Sequence, residues 1–152
     1  MNAVIATTGQ ILADAAARGA AKSLPYAGEV TPREAYELQR TAGARIVDVR
    51  SRFEYEYIGR VPDSALVEWK FWPSGELNHR FIAELQLHCR HDDIVLLLCR
   101  SAVRSHAAAT RAAAAGFPRV FNILEGFEGD LNQHQQRGHA GWRSAGLPWI
   151  QS

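Results

Sequence analysis

The stretch Ile94–Phe117, IVLLLCRSAVRSHAAATRAAAAGF, decides how the chain folds. Its opening run, Ile94 to Leu98, is apolar at every position, the pattern of a central strand covered on both faces. The run ends on Cys99, passes through Arg100, Ser101, Ala102 and Val103, and at Arg104 enters an alanine-rich segment. Alanine is the strongest helix former, and Gly116 stands where a helix C-terminus would be capped, so a helix is expected over Arg104–Ala115. A strand feeding a helix through a tight turn is the unit of a parallel α/β sheet, and ligands bind such sheets at the carboxyl ends of the strands. Cys99 occupies that position.

Working outward, RVFNI at Arg119–Ile123 reads as the next strand, and RIVDV contains another over Ile46–Val49. TPRE from Thr31 is a capping box with Pro32 at the first helical position, so a helix runs from there to about Thr41 with Ala35, Leu38 and Ala42 on one face. A second box, SRFE at Ser51–Glu54, opens a short helix that Gly59 can close. A short strand is expected near Ala65–Val67. After the aromatic connection WKFWPSGEL comes a helix from Asn78 or His79 to His88. A further helix, about Ile5–Ala20, precedes the core and ends in SLPYAGEVTP. Strands alternate with helices throughout, which predicts an α/β domain with a mostly parallel sheet. The expected division is an N-terminal helical extension over residues 1–27 and one domain over residues 28–152.

The chain has 152 residues, 47% hydrophobic and 22% charged, enough for one sizeable core. A formal net charge of +1 gives no general attraction to nucleic acid or to a membrane surface, so neither partner is expected and any basic site is local. The N-terminal segment has no basic flank, and its apolar residues are spaced by polar ones, which argues against a signal peptide or a membrane span. A cytoplasmic chain is expected, and its two cysteines, Cys89 and Cys99, read as thiols. No metal is expected. The cysteines lack zinc-knuckle spacing, and His79, His88, His91, His106, His134 and His139 are scattered and read as exposed or capping residues.

The thiolate is the reactive form of cysteine, and a free thiol with a pKa of about 8.5 is only about 3% ionised at pH 7. Ionisation needs positive potential. Here three sources coincide: the helix N-terminus near Arg104, the N–H groups of a tight loop, and the guanidinium groups of Arg100 and Arg104. A cysteine ending an apolar strand is also a common small buried hydrophobe. The order of strand, Cys, four residues, Arg, Ser and helix favours a reactive thiol. Cys89, late in a helical pattern, reads as a packed bystander, with a resolving partner for Cys99 as the alternative. Trp69, Phe71, Trp72 and Pro73 admit three readings: a pocket rim, a partner surface, or packing of a long connection. Trp142 and Trp149 read as a cover for the sheet edge or core.

In these residues the chain resembles the rhodanese-like family of single-domain sulfurtransferases, over about Gly28–Trp149. The resemblance rests on GEVTPREAYEL, on IVDVRSRFEYEYIGRVPDSALV, on the strand ending in CRSAVRS, and on GFPRVFNILEGFEG, in that order. It implies a three-layer rhodanese-like fold with helices flanking the sheet, plus the extra N-terminal helix. It also implies a persulfide cycle: Cys99 takes sulfur from an anionic donor such as thiosulfate and passes it to cyanide, a thiol or a partner protein, without a cofactor. Arg100, Ser101, Ala102, Val103 and Arg104 would form the donor cradle. Asp48, Arg50 and Glu54 would support it from beneath. Related phosphatases place five residues between Cys and Arg, and four stand here, so a phosphatase or arsenate-reductase-like enzyme ranks below sulfur transfer. A sulfur carrier that turns over only with its partner is the second class of function. An inactive regulatory fold is a third, which the retained Cys99 disfavours. Three departures from the family pattern stand out: Ala102 where glycine is common, Arg60, Asp63 and Ser64 in GRVPDSALV, and Phe127 in place of the second glycine of the late signature.

Overall fold

The computed structural model describes residues 7–152. In chain order it contains α1 (Thr8–Ala21), β1 (Gly28–Val30), α2 (Pro32–Thr41), β2 (Arg45–Asp48), β3 (Ala65–Leu66), α3 (Phe81–His88), β4 (Val95–Leu98), α4 (Val103–Ala114) and β5 (Val120–Ile123). A widened helical turn, Glu54–Ile58, lies between β2 and β3. The strands form one sheet in the order β1-β5-β4-β2-β3, with every pairing parallel.

Alternation along the strands divides the core into two layers. Successive residues of a strand face opposite sides of its sheet. Leu96 and Leu98 of β4, with Phe121 and Ile123 of β5, therefore pack beneath α1 and α2, against Ile11, Ala15, Ala35 and Leu38. Val95, Leu97 and Cys99 turn to the other side, where Phe81 and Leu85 of α3 and Ala108, Ala109 and Ala112 of α4 cover them. Two buried faces explain why Ile94–Leu98 shows no polar alternation. The three-layer architecture matches the expectation.

Several boundaries and one element depart from it. β1 was not anticipated, because three residues are too few to show alternation and GEV owes its extension to pairing with β5. Helix α1 starts at Thr8, with Thr7 capping it by accepting from the Gln10 N–H at 3.1 Å; Ile5 and Ala6 of the expected helix lie outside the described residues. α3 begins at Phe81 and not at Asn78 or His79, because the Asn78 side chain is used in the preceding turn, accepting from the Arg80 N–H at 3.0 Å. The SRFE box forms, but the turn it opens closes with i→i+5 bonding, the Gly59 N–H donating to the Glu54 carbonyl at 3.2 Å.

α1 lies directly on β1. A Cβ on Gly28 would run into the Ala15 carbonyl, and one on Gly19 would come within 2.9 Å of Gly28 Cα. Arg18 then reaches past β1 to α2, placing its two terminal nitrogens on Glu34 at 2.7 and 3.1 Å. Trp142 is fully buried, edge-on to Tyr36, whereas Trp149 is half-exposed over Phe127. Among the described residues no helix is long and apolar enough to cross a membrane.

Candidate active site

Cys99 follows β4 at the carboxyl edge of the sheet and is 1% exposed. Its sulfur accepts from the backbone N–H of Ser105 at 3.3 Å and lies 3.2 Å from the Ser105 hydroxyl. The intervening loop folds over the sulfur because Ala102 takes φ 76°, ψ 3°, the left-handed conformation, and serves as the N-cap of α4. That conformation costs a non-glycine residue about 1–2 kcal/mol. The methyl group at this position is thus accommodated by backbone strain.

A second loop braces the first. Cys99 and Arg100 carbonyls accept from the N–H groups of Phe127 and Glu128, at 2.8 and 3.0 Å. The contact is so close that a Cβ on Gly126 would strike the Arg100 carbonyl. Glu125 and Gly126 both have φ 66°. Since a Gly-Gly pair suits two consecutive left-handed residues, the missing glycine of the signature falls at Glu125 and not at Phe127. Phe127 is a core residue, fully buried, with the Arg50 guanidinium 4.5 Å above its ring.

The two arginines of the cysteine loop have different surroundings. Arg104 places its terminal nitrogens on both Glu54 oxygens, at 2.7 and 2.9 Å. Arg100 is exposed and makes no ion pair among the described residues. It lines two adjoining clefts of ≈ 270 and ≈ 240 Å³ that share Ser51, Glu54 and Trp72. Lys70 and Phe71 line the second, and Phe53 and Arg137 the first. Arg100, which directly follows Cys99, is thus one of three cations lining these clefts, with Lys70 and Arg137, that make no ion pair among the described residues.

Burial opposes ionisation of Glu54, but the hydrogen bonds and charge of Arg104 more than offset it, and the carboxyl is held below its ordinary value. The same pairing raises Arg104. Asp48 and Arg50 are fully buried and joined by Nε–Oδ1 and Nη2–Oδ2 bonds of 2.9 and 2.6 Å. Arg50 also donates to the Gly59 carbonyl at 2.6 Å, tying the end of β2 to the widened turn. Both residues lie in the framework under Glu54. Ser101 is half-buried and Val103 exposed on the outer side of the loop.

Ser105, the serine that follows Arg104 in the expected order, supplies the N–H at the sulfur. Two further residues of this region, Asn122 and Tyr26, lie outside the pattern that marks the thiol. Asn122 is the polar residue inside a buried strand, and that interruption was its available signal. Tyr26 comes from the segment ahead of β1, and its hydroxyl lies 2.7 Å from Nδ1 of His106, which is exposed as expected. The aromatic connection divides: Trp69 packs edge-on against Phe81 at 5.1 Å, while Phe71 and Trp72 rim the cleft.

Cys89 is no resolving partner. Its charged neighbours are Asp93 and Arg45, at the amino edge of the sheet. The four residues of β4 separate that edge from Cys99 by roughly 13 Å, and a disulfide needs Cα atoms within about 7 Å. Burial, with Asp93 adding to it, pushes the Cys89 thiol up to about 11.

A parallel sheet between helical layers, with a thiol held by a short loop at the carboxyl end of its middle strand, defines a thiol-centred α/β domain. Residues 31–133 match the Rhodanese-like domain, and the chain belongs to that family. It is similar to the solved structure of Rv0390 from M. tuberculosis, at 41% identity and TM-score 0.74, covering 84% of this chain and 99% of that one. The uncharacterized protein RC0915 of Rickettsia conorii is 33% identical over 112 residues, covering 70% of this chain and 82% of its own length. The thiosulfate sulfurtransferase GlpE of Actinobacillus pleuropneumoniae is 28% identical over 120 residues, covering 79% and 90%.

Proposed function

We propose that the chain is a thiosulfate sulfurtransferase-type enzyme in which Cys99 carries the sulfur. The carrying observation is the sulfur of Cys99 at the Ser105 backbone N–H, next in the chain to Arg100, which lines a cleft together with a second cation unpaired among the described residues, Arg137. The Cys99 thiolate attacks the outer sulfur of thiosulfate, the S–S bond breaks, and sulfite leaves with the electron pair. The resulting Cys–S–S⁻ gives its outer sulfur to cyanide or a thiol, and the thiolate returns. Backbone N–H groups stabilise the anionic persulfide as they would any anion at a helix N-terminus. Arg100 draws in the doubly charged donor, and Asp48, Arg50, Glu54 and Arg104 hold the loop. Both cysteines are free, which suits a reducing compartment, and we place the reaction in the cytoplasm.

A partner protein is the second acceptor we consider, because the cleft is bordered by exposed aromatic residues: Phe53 at 51% and Trp72 at 70%. An enzyme for small thiols turns over thiosulfate alone with them, whereas a carrier is slow until its partner is added. The test of the sulfur chemistry is intact-protein mass after incubation with thiosulfate, beside Cys99→Ser. Wild type is expected to gain one sulfur that cyanide removes, and the variant none. Rapid alkylation of Cys99 with no sulfur gain would instead favour phosphate-ester or arsenate chemistry.

A further inference from the structure

Asn122 interrupts a strand whose other residues, Val120, Phe121 and Ile123, are apolar and buried; it is itself 3% exposed. The parallel register places it beside Leu97, and alternation turns its side chain to the face that carries Leu97 and Cys99. There both ends of the amide are used. Nδ2 donates to the Ala102 carbonyl at 3.1 Å, and Oδ1 accepts from the Ser105 hydroxyl at 2.5 Å. Donation to a carbonyl settles which end is nitrogen, leaving the oxygen for Ser105. The single hydroxyl proton of Ser105 is then directed to Asn122, and a lone pair faces the Cys99 sulfur.

These two partners are the critical points of the loop. Ala102 holds the left-handed conformation that lets the loop fold over the sulfur, and it caps α4 without a side chain able to do so. Ser105 supplies the N–H that meets the sulfur. We propose that Asn122 is the positioning residue of the cysteine loop. It holds the strained Ala102 and orients the Ser105 hydroxyl, so the loop keeps its shape without the glycine its backbone would favour. The inference rests on the sulfur-transfer reading for its effect on activity, though not for its effect on the loop.

The test compares wild type, Asn122→Leu, Asn122→Leu/Ala102→Gly, and Ile123→Val, which weakens β5 from its opposite face. Each is measured by kcat/KM for thiosulfate with cyanide and by hydrogen exchange of the loop over residues 99–106. Asn122→Leu is expected to speed loop exchange and lower kcat/KM by about tenfold, and Ala102→Gly in that background to restore both to within about threefold of wild type. Ile123→Val should leave both within about twofold of wild type. Where Asn122→Leu fails to fold, Asn122→Ala makes the same comparison. Unchanged loop exchange in the Asn122 variant, or a loss that Ala102→Gly does not reverse, overturns the proposal. If wild type accepts no sulfur, the functional reading fails separately, and the exchange comparison still decides the role of Asn122.

Discussion

Arg104 and Glu54 form a two-pronged ion pair, with nitrogen–oxygen distances of 2.7 and 2.9 Å, that fastens the first turn of α4 to the widened turn after β2. The Glu54 side chain is 16% exposed, so little water shares in its stabilisation.

Arg104→Ala should therefore do more than remove a cation. It leaves the largely buried carboxylate without its strongest partner, and we expect a loss of roughly 2 kcal/mol in urea unfolding. Arg104→Lys should recover part of this, because an ammonium cannot meet both oxygens in a fork. KM for thiosulfate should rise in both variants. Equal stability of wild type and Arg104→Ala would show that the pair contributes nothing.

The pair also has a pH signature. The folded Glu54 carboxyl titrates below its unfolded value, so the unfolded chain takes up this proton first as pH falls. The stability from this pair is complete above the ordinary carboxylate value of about 4.3 and disappears as pH falls through the lowered folded value. Glu54→Gln should flatten the decline in stability over that acid range. Glu34, held low by Arg18 against the opposing effect of its burial, behaves in the same sense. A Glu54→Gln protein with an unchanged acid unfolding profile would contradict this assignment.

Cys89 should remain unmodified by iodoacetamide in the folded protein at pH 8, since its thiol is buried and titrates at about 11. Peptide mapping of native and urea-unfolded samples reads this directly, with modification expected on unfolding. Cys89→Ala should retain sulfur uptake from thiosulfate, because the residue lies at the opposite edge of the sheet. Loss of uptake in that variant would return Cys89 to the chemistry.

Gly28→Ala should dislodge α1. The new methyl would collide with the Ala15 carbonyl, which is backbone and cannot rotate away. A loss of roughly 3 kcal/mol is expected, at the upper end for overpacking, together with faster hydrogen exchange in α1. Exchange in β4 should change much less. A neutral substitution would mean that α1 does not need this close approach.

The sequence alone determined the elements whose causes are local. The apolar run Ile94–Leu98 required two buried faces, the alanines after Arg104 required a helix, and Thr31 with Glu34 and Ser51 with Glu54 announced their helical starts. Cys99 at the strand-to-helix junction was legible for the same reason. Tertiary structure decided what those residues meet. Both capping glutamates also receive an arginine from elsewhere in the chain, Arg18 or Arg104, and neither pairing leaves a spacing pattern. β1 exists through its partner β5, and Asn122 reaches Ala102 and Ser105 only because parallel register brings β5 beside β4. Local propensity acts over a few neighbouring residues, whereas the surroundings of this thiol come from segments up to dozens of residues apart, joined by packing across the sheet.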